Sequence, residues 1–202
     1  MMCRRTHAAW IAALLITSSC SLLSPRPDPT RHIVLASLRD LGETEAPAAS
    51  KLHLGLGPVR VPEYLDRSEL MVRASPTELR PSTAARWAEP LPDMLARVLA
   101  DDLVQLLGPA RLVAHPWYAT DRPHWQIEVE VLRFEPAAKG EARLDARWWL
   151  RDLSGDAATV SHESRITEAT TKSEPARLAE SLSRAVATLA REIAAAVSTL
   201  EP

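Results

Sequence analysis

The sequence predicts an α+β fold, a two-layer sandwich in which two long helices pack on one face of a mostly antiparallel sheet. Three observations carry this. Two stretches, 91–106 and 178–200, repeat apolar residues at steps of three and four, the period of a helix with one buried stripe. Two others, 125–135 and 142–152, alternate apolar and polar residues, the period of an antiparallel strand covered on one side. Each such element needs a second layer to bury its apolar face. A chain of 202 residues with 46% apolar content can fill the core between those layers.

Taken in order, residues 1–19 resemble a bacterial lipoprotein signal: Arg4 and Arg5, an apolar stretch from Ala8 to Ile16, then Thr17, Ser18 and Ser19 before Cys20. The apolar stretch is about half the ~20 residues that span a bilayer. Cys20 is the expected lipidation site. Cys3 leaves with the signal, so the mature chain holds no cysteine pair for an internal disulfide, and a thioether to lipid occupies the remaining sulfur. Losing Arg4 and Arg5 takes the net charge from -2 to -4, so acyl chains, not basic residues, must hold the membrane. Ser21 after the cysteine, rather than aspartate, resembles the pattern of lipoproteins forwarded to the outer membrane in enteric-type bacteria. Residues 20–31 form a tether stiffened by Pro25, Pro27 and Pro29, and residues 32–202 form the folded domain.

Within that domain His32–Leu38 reads as a first strand and 42–50 as a loop. Leu52 to Val61 alternates with a one-residue slip at Gly57-Pro58, the mark of a bulge, and Pro62 confines that end to an edge or bend. The stretch 68–75 continues the strand after a turn. Leu91, Leu95, Val98, Leu99, Leu103 and Leu106 define the first helix, with prolines in its first turn and Gly108 as its cap. Trp125, Ile127, Val129 and Val131 alternate with Gln126, Glu128 and Glu130. Ala142 to Leu150 alternates with arginines, so pairing the two strands sets Glu against Arg. A turn at Ser154-Gly155-Asp156 leads to a more polar strand at 159–169, and Ser173 is the expected cap of an Ala-rich second helix.

Two segments then stand out: GPVRVPEYLDRSELMVR (57–73), and RWAEPL (86–91) followed by a helix containing LARVL (95–99). Together, after a lipoprotein signal, they resemble the ABC-type transport auxiliary lipoprotein family, in particular its PqiC (YmbA) group. An RFE strand (Arg133 to Glu135) and an ARW strand (Ala146 to Trp148) follow in the order that the family shows. The motif residues carried over are Tyr64, Leu65, Asp66, Arg67, Arg86, Trp87, Glu89 and Pro90. Glu63 and Ser68 stand where family members often carry proline. The resemblance implies an outer-membrane lipoprotein facing the periplasm that partners a mammalian-cell-entry (MCE) domain protein in lipid or hydrophobic-solute transport. It brings no catalytic role and no cofactor.

Acidic and basic residues are closely interspersed, so no basic face suggests nucleic acid. Neither GxGxxG nor a GK[ST] phosphate loop occurs. His115, Asp121 and His124 match no common zinc spacing, and Ser161-His162 lacks a GxSxG elbow, so no metal or catalytic residue is expected. The motif residues read as a staple instead, with Arg86 pairing back to Asp66 over a buried Trp87. Trp117, Tyr118 and Trp149 are candidate interface aromatics, with local packing as the other reading. A homo-oligomer is compatible with this chain. The alternatives from other classes are a periplasmic hydrolase and a lipoprotein scaffold for outer-membrane assembly.

Overall fold

The computed structural model describes residues 30–48, 50–108, 112–137, 140–155, 159–170 and 174–200. The signal segment, Cys20, most of the Pro-rich tether, Asp156 and the expected cap Ser173 lie outside them. The described residues form eight strands and two long helices: β1 (Arg31–Ile33), β2 (Leu54–Arg60), β3 (Glu69–Ser75), β4 (Glu78–Trp87), α1 (Leu91–Leu107), β5 (Leu112–Ala114), β6 (Trp125–Ala137), β7 (Glu141–Asp152), β8 (Val160–Ala169) and α2 (Pro175–Ser198).

The long strand β6 organises the sheet. Along one side it pairs antiparallel with β7, which pairs antiparallel with β8. Along its other side lie β2 and then β3, both parallel to it, so the two are one strand interrupted by residues 61–68. β5 flanks β2 in parallel; β4 returns antiparallel beside β3, and β1 runs parallel to β4. The sheet is therefore mixed and mostly parallel by pairing, which corrects the expected antiparallel one. Period-2 alternation marks a half-covered strand but does not fix its direction, and the parallel partners here are joined by long connections.

One face of the sheet carries the core. Ile127, Val129, Val131 and Phe134 of β6 and Ala142, Leu144, Ala146, Trp148 and Leu150 of β7 are buried against the helices. α2 packs on β6, β7 and β8, α1 packs on β2 and β5, and the helices pack on each other. All six apolar positions read into α1 are buried, and the helix ends at Gly108, whose N–H donates to the Val104 carbonyl at 2.9 Å. Its φ of 106° is a backbone conformation that side-chain-bearing residues rarely adopt.

On the opposite face, Glu130 faces Arg147, and Glu128 accepts from Arg151 Nε at 2.9 Å and from Arg60. This is the cross-strand pattern the alternation implied. The bulge read at Gly57-Pro58 is present as a register shift between Leu56 and Val59.

After β1 the chain leaves the sheet and runs over both helices. The Ala36 N–H donates to Ser183 Oγ at 2.9 Å, the Leu38 N–H to Asp102 Oδ1 at 2.7 Å, and Arg191 reaches Glu45 at 2.6 Å and also Glu43. Asp102 is fully buried, and its Oδ2 has no partner among the described residues. Burial pushes its carboxyl up to about 6, against the lowering effect of the Leu38 hydrogen bond.

Candidate functional site

Residues 61–68 leave the sheet because Pro62 has no N–H to give a ladder. Its carbonyl accepts the Leu65 N–H at 2.9 Å, and the Leu65 carbonyl accepts the Arg67 N–H at 2.9 Å, closing a tight turn before β3. The turn points Leu65 into the core, where it is 2% exposed. Tyr64 lies half-buried, its hydroxyl 3.1 Å from Glu135 Oε2, with the Leu132 carbonyl at 3.3 Å as the other acceptor.

Glu135 is the centre of this arrangement. Only 1% exposed, its carboxylate accepts from Arg73 Nε at 2.5 Å, from Arg133 Nε at 3.3 Å and from the Phe134 N–H at 3.2 Å. A buried carboxylate tolerates its desolvation when cations and N–H groups surround it in this way. Burial and the adjacent Glu135 charge push the Tyr64 phenol up to about 12, so it remains a hydrogen-bond donor at any physiological pH.

The second motif segment arrives on β4. Trp87 is 4% exposed and stacks on Phe134, ring centroids 6.1 Å apart at 25°. The Trp87 backbone N–H donates to the Ser68 carbonyl at 2.7 Å, while Arg86 sits opposite Glu69 in the antiparallel register. Pro90 precedes α1, and its carbonyl accepts the Met94 N–H at 3.1 Å. The two motifs are therefore fastened together by backbone and by the Trp87 ring.

The expected Asp66–Arg86 bridge is not formed. Strand alternation turns Trp87 inward and Arg86 outward, and Asp66 stays exposed on its turn. Arg67 pairs with Glu69 at 3.6 Å, Glu89 pairs with Arg97 of α1, and Asp66 and Arg86 have no side-chain partner among the described residues. Asp66, Arg67 and Glu89, but not Arg86, border a cleft of about 320 Å³ that Ser68, Trp87 and Pro90 also line.

The other candidates are dispersed. Trp117 covers Gly55, where an added Cβ would lie 2.8 Å from its ring, and it meets His115 edge-on at 5.1 Å. Trp149 is half-buried with Arg151 over its ring, whereas Tyr118 is 83% exposed. Asp121 lies 3.5 Å from His53, which meets His124 edge-on, and no group of three or more His, Cys, Asp or Glu among the described residues is placed to hold a metal ion. His162 stacks on Trp148 at 4.2 Å. Ser164, two residues on, accepts from Trp148 Nε1 and donates to Glu192. Sequence reasoning missed the Glu135 cluster. Its signal was the step from Val131 to Phe134, three residues instead of two, which marks the bulge that sends Phe134 inward and Glu135 to the other face.

What these elements define is a small α+β sandwich whose motif residues join strand, strand and helix around an exposed polar corner. The profile of the ABC-type transport auxiliary lipoprotein component matches residues 37–194, and the chain belongs to that family, as its motifs indicated. Its role is accordingly a transport-related one. No curated protein matches the chain significantly. Among solved structures, an uncharacterized protein is similar at 19% identity and a TM-score of 0.64, over 77% of this chain and 99% of that one. Protein XCC0632 from Xanthomonas campestris is similar at 19% identity and a TM-score of 0.62, over 85% of this chain and 95% of that one. Both likenesses concern the fold. No helix among the described residues is long and apolar enough to cross a membrane.

Proposed function

We propose that this chain is a non-enzymatic, lipid-anchored accessory subunit of an MCE-type ABC system that moves lipid or another hydrophobic solute across the cell envelope. In this reading residues 1–19 are removed, Cys20 carries the lipid, residues 20–31 tether the domain to the periplasmic face of the outer membrane, and the folded body, possessing no cofactor, docks an MCE-domain protein. Family membership supports the transport role. The observation that carries the docking role is the state of the motif charges: Tyr64, Leu65, Trp87 and Pro90 are engaged within the fold, whereas Asp66 and Arg86 are exposed and unpaired among the described residues. Charges free of internal partners at a structured corner suit a polar interface rim.

The test is co-purification of the full chain from solubilised membranes, with partners identified by mass spectrometry. An MCE-domain protein is expected with the wild type and depleted with Asp66→Ala/Arg86→Ala. Its repeated absence from wild-type preparations would overturn the partnership, and its undiminished recovery with the double variant would move the interface elsewhere. Mass measurement of the mature N-terminus checks the lipid on Cys20.

A further inference from the structure

Beside the Tyr64–Glu135 cluster, where β3 passes the end of β6, lies a second and larger cleft of about 810 Å³. It opens on the sheet face away from the helices, because Arg133 and Arg143 alternate with the buried Phe134 and Leu144. Three guanidiniums line it, those of Arg73, Arg133 and Arg143, with Tyr64, Ala74 and Ala137 between them.

The charges are layered. Glu135 and Asp145 lie at the back, their side chains 1% and 10% exposed, while Arg73, Arg133 and Arg143 stand in front at 18%, 31% and 40%. Each arginine meets its carboxylate through Nε: Arg73 to Glu135 at 2.5 Å, Arg133 to Glu135 at 3.3 Å, Arg143 to Asp145 at 2.8 Å. Arg73 Nη1 also donates to the Pro76 carbonyl at 3.2 Å. The Nη groups of Arg133 and Arg143 have no hydrogen-bond partner among the described residues. A guanidinium held by Nε alone is oriented yet keeps its outer donors, the arrangement that receives an oxyanion. Glu141 also acts on Arg143 from two residues away, so three carboxylates balance the three guanidiniums, and what the cleft offers an anion is its unused outer donors and not a net charge. Its volume falls in the range of small-molecule sites, about 300–1,000 Å³, well beyond what a bare phosphate fills.

We propose that this cleft binds a phosphate-class anion, with Arg133 and Arg143 as its principal donors and Arg73 as the third cation. The anion comes either from a lipid headgroup, whose adjoining apolar part rests on Ala74 and Ala137, or from free phosphate. This binding uses neither Asp66 nor Arg86, so it stands whether or not the docking reading above does.

Isothermal titration of the full chain with dihexanoyl phosphatidic acid, dihexanoyl phosphatidylcholine and inorganic phosphate tests it. Saturable binding of the phosphatidic acid is expected, about tenfold or more tighter than that of the zwitterionic lipid, because only the former presents an uncompensated phosphate. Arg133→Gln/Arg143→Gln should weaken it by about tenfold or more. Ala74→Glu should do the same by placing a carboxylate in the cleft while leaving each arginine contact intact, so the outcome does not depend on the double variant folding. Inorganic phosphate that binds as tightly would identify free phosphate as the source; phosphate that fails to compete would identify the headgroup. Either result supports the site. Absence of saturable binding by both phosphate ligands, equal binding of phosphatidylcholine, or affinity kept within about twofold in a folded Ala74→Glu variant would overturn it.

Discussion

Tyr64 and Asp66 are two residues apart in one motif, yet they stand in opposite conditions. Tyr64 is clamped to a buried carboxylate that also holds two arginines. Asp66 ends in solvent with nothing attached among the described residues. The same division runs through the second motif, where Trp87 is buried on Phe134 and Arg86 is exposed beside it. Part of each motif builds the fold, while one charge in each, Asp66 and Arg86, has no side-chain partner among the described residues, so a motif need not have a single purpose.

Trp87→Ala should show the building part most strongly, with a loss of about 3–5 kcal/mol in denaturant unfolding, since it removes a buried ring from its partner. Glu135→Gln comes next, at about 2–3 kcal/mol, because Arg73 and Arg133 lose their counter-charge but are open enough to be hydrated in part. Asp102 supplies the contrast of a buried carboxylate with no cation bonded to it. Its carboxyl is raised in the folded state to about 6 from 3.8, so between those values the unfolded chain ionises first and stability falls as pH rises. The fall is about 2–3 kcal/mol, complete near pH 6, and Asp102→Asn should flatten it when unfolding is followed from pH 4 to 7. Tyr64→Phe should cost about 0.5–1.5 kcal/mol, the worth of one hydrogen bond. Asp66→Ala and Arg86→Ala should each stay within about 0.5 kcal/mol in the same unfolding measurement. A larger loss at either would erase the division between the two parts.

Both helices and the long strands β6 and β7 were legible because each has one apolar and one polar side, and burial follows that division apart from a few buried polar residues, Asp102, Glu135 and Asp145 among them. The interruption between β2 and β3 was legible from Pro62, and the bulge from the slip at Gly57-Pro58. β4 was not. Its sequence ELRPSTAARW has no alternation, since most of it is exposed and it is held by hydrogen bonds to β3 and β1 rather than by an apolar face. The expected first strand, His32–Leu38, shrinks to Arg31–Ile33 because the Leu35 and Ala36 N–H groups donate to Met94 and Ser183 of the two helices instead of to a neighbouring strand. β5 is as short, and strands of three residues carry no period to read. The motif residues were visible as a group, but their pairings were not. Arg86 and Asp66 suit each other in charge, and only the register opposite Glu69 and the inward turn of Trp87 keep them apart.

β1 carries a mechanical consequence. It is the first strand of the sheet, lies at its edge, and is joined to β4 by three residue pairs and to Glu174, the residue just before α2, by the exposed contact of Arg31 at 3.0 Å. Tension applied through the N-terminal segment therefore enters the body at a seam of only three residue pairs. The next restraints along the chain are the hydrogen bonds of Ala36 to Ser183 and Leu38 to Asp102, so the load passes into the two helices before it reaches the β6–β7–β8 ladder. Under a steady pull the edge should peel away while that ladder holds, acting as a fuse that yields first.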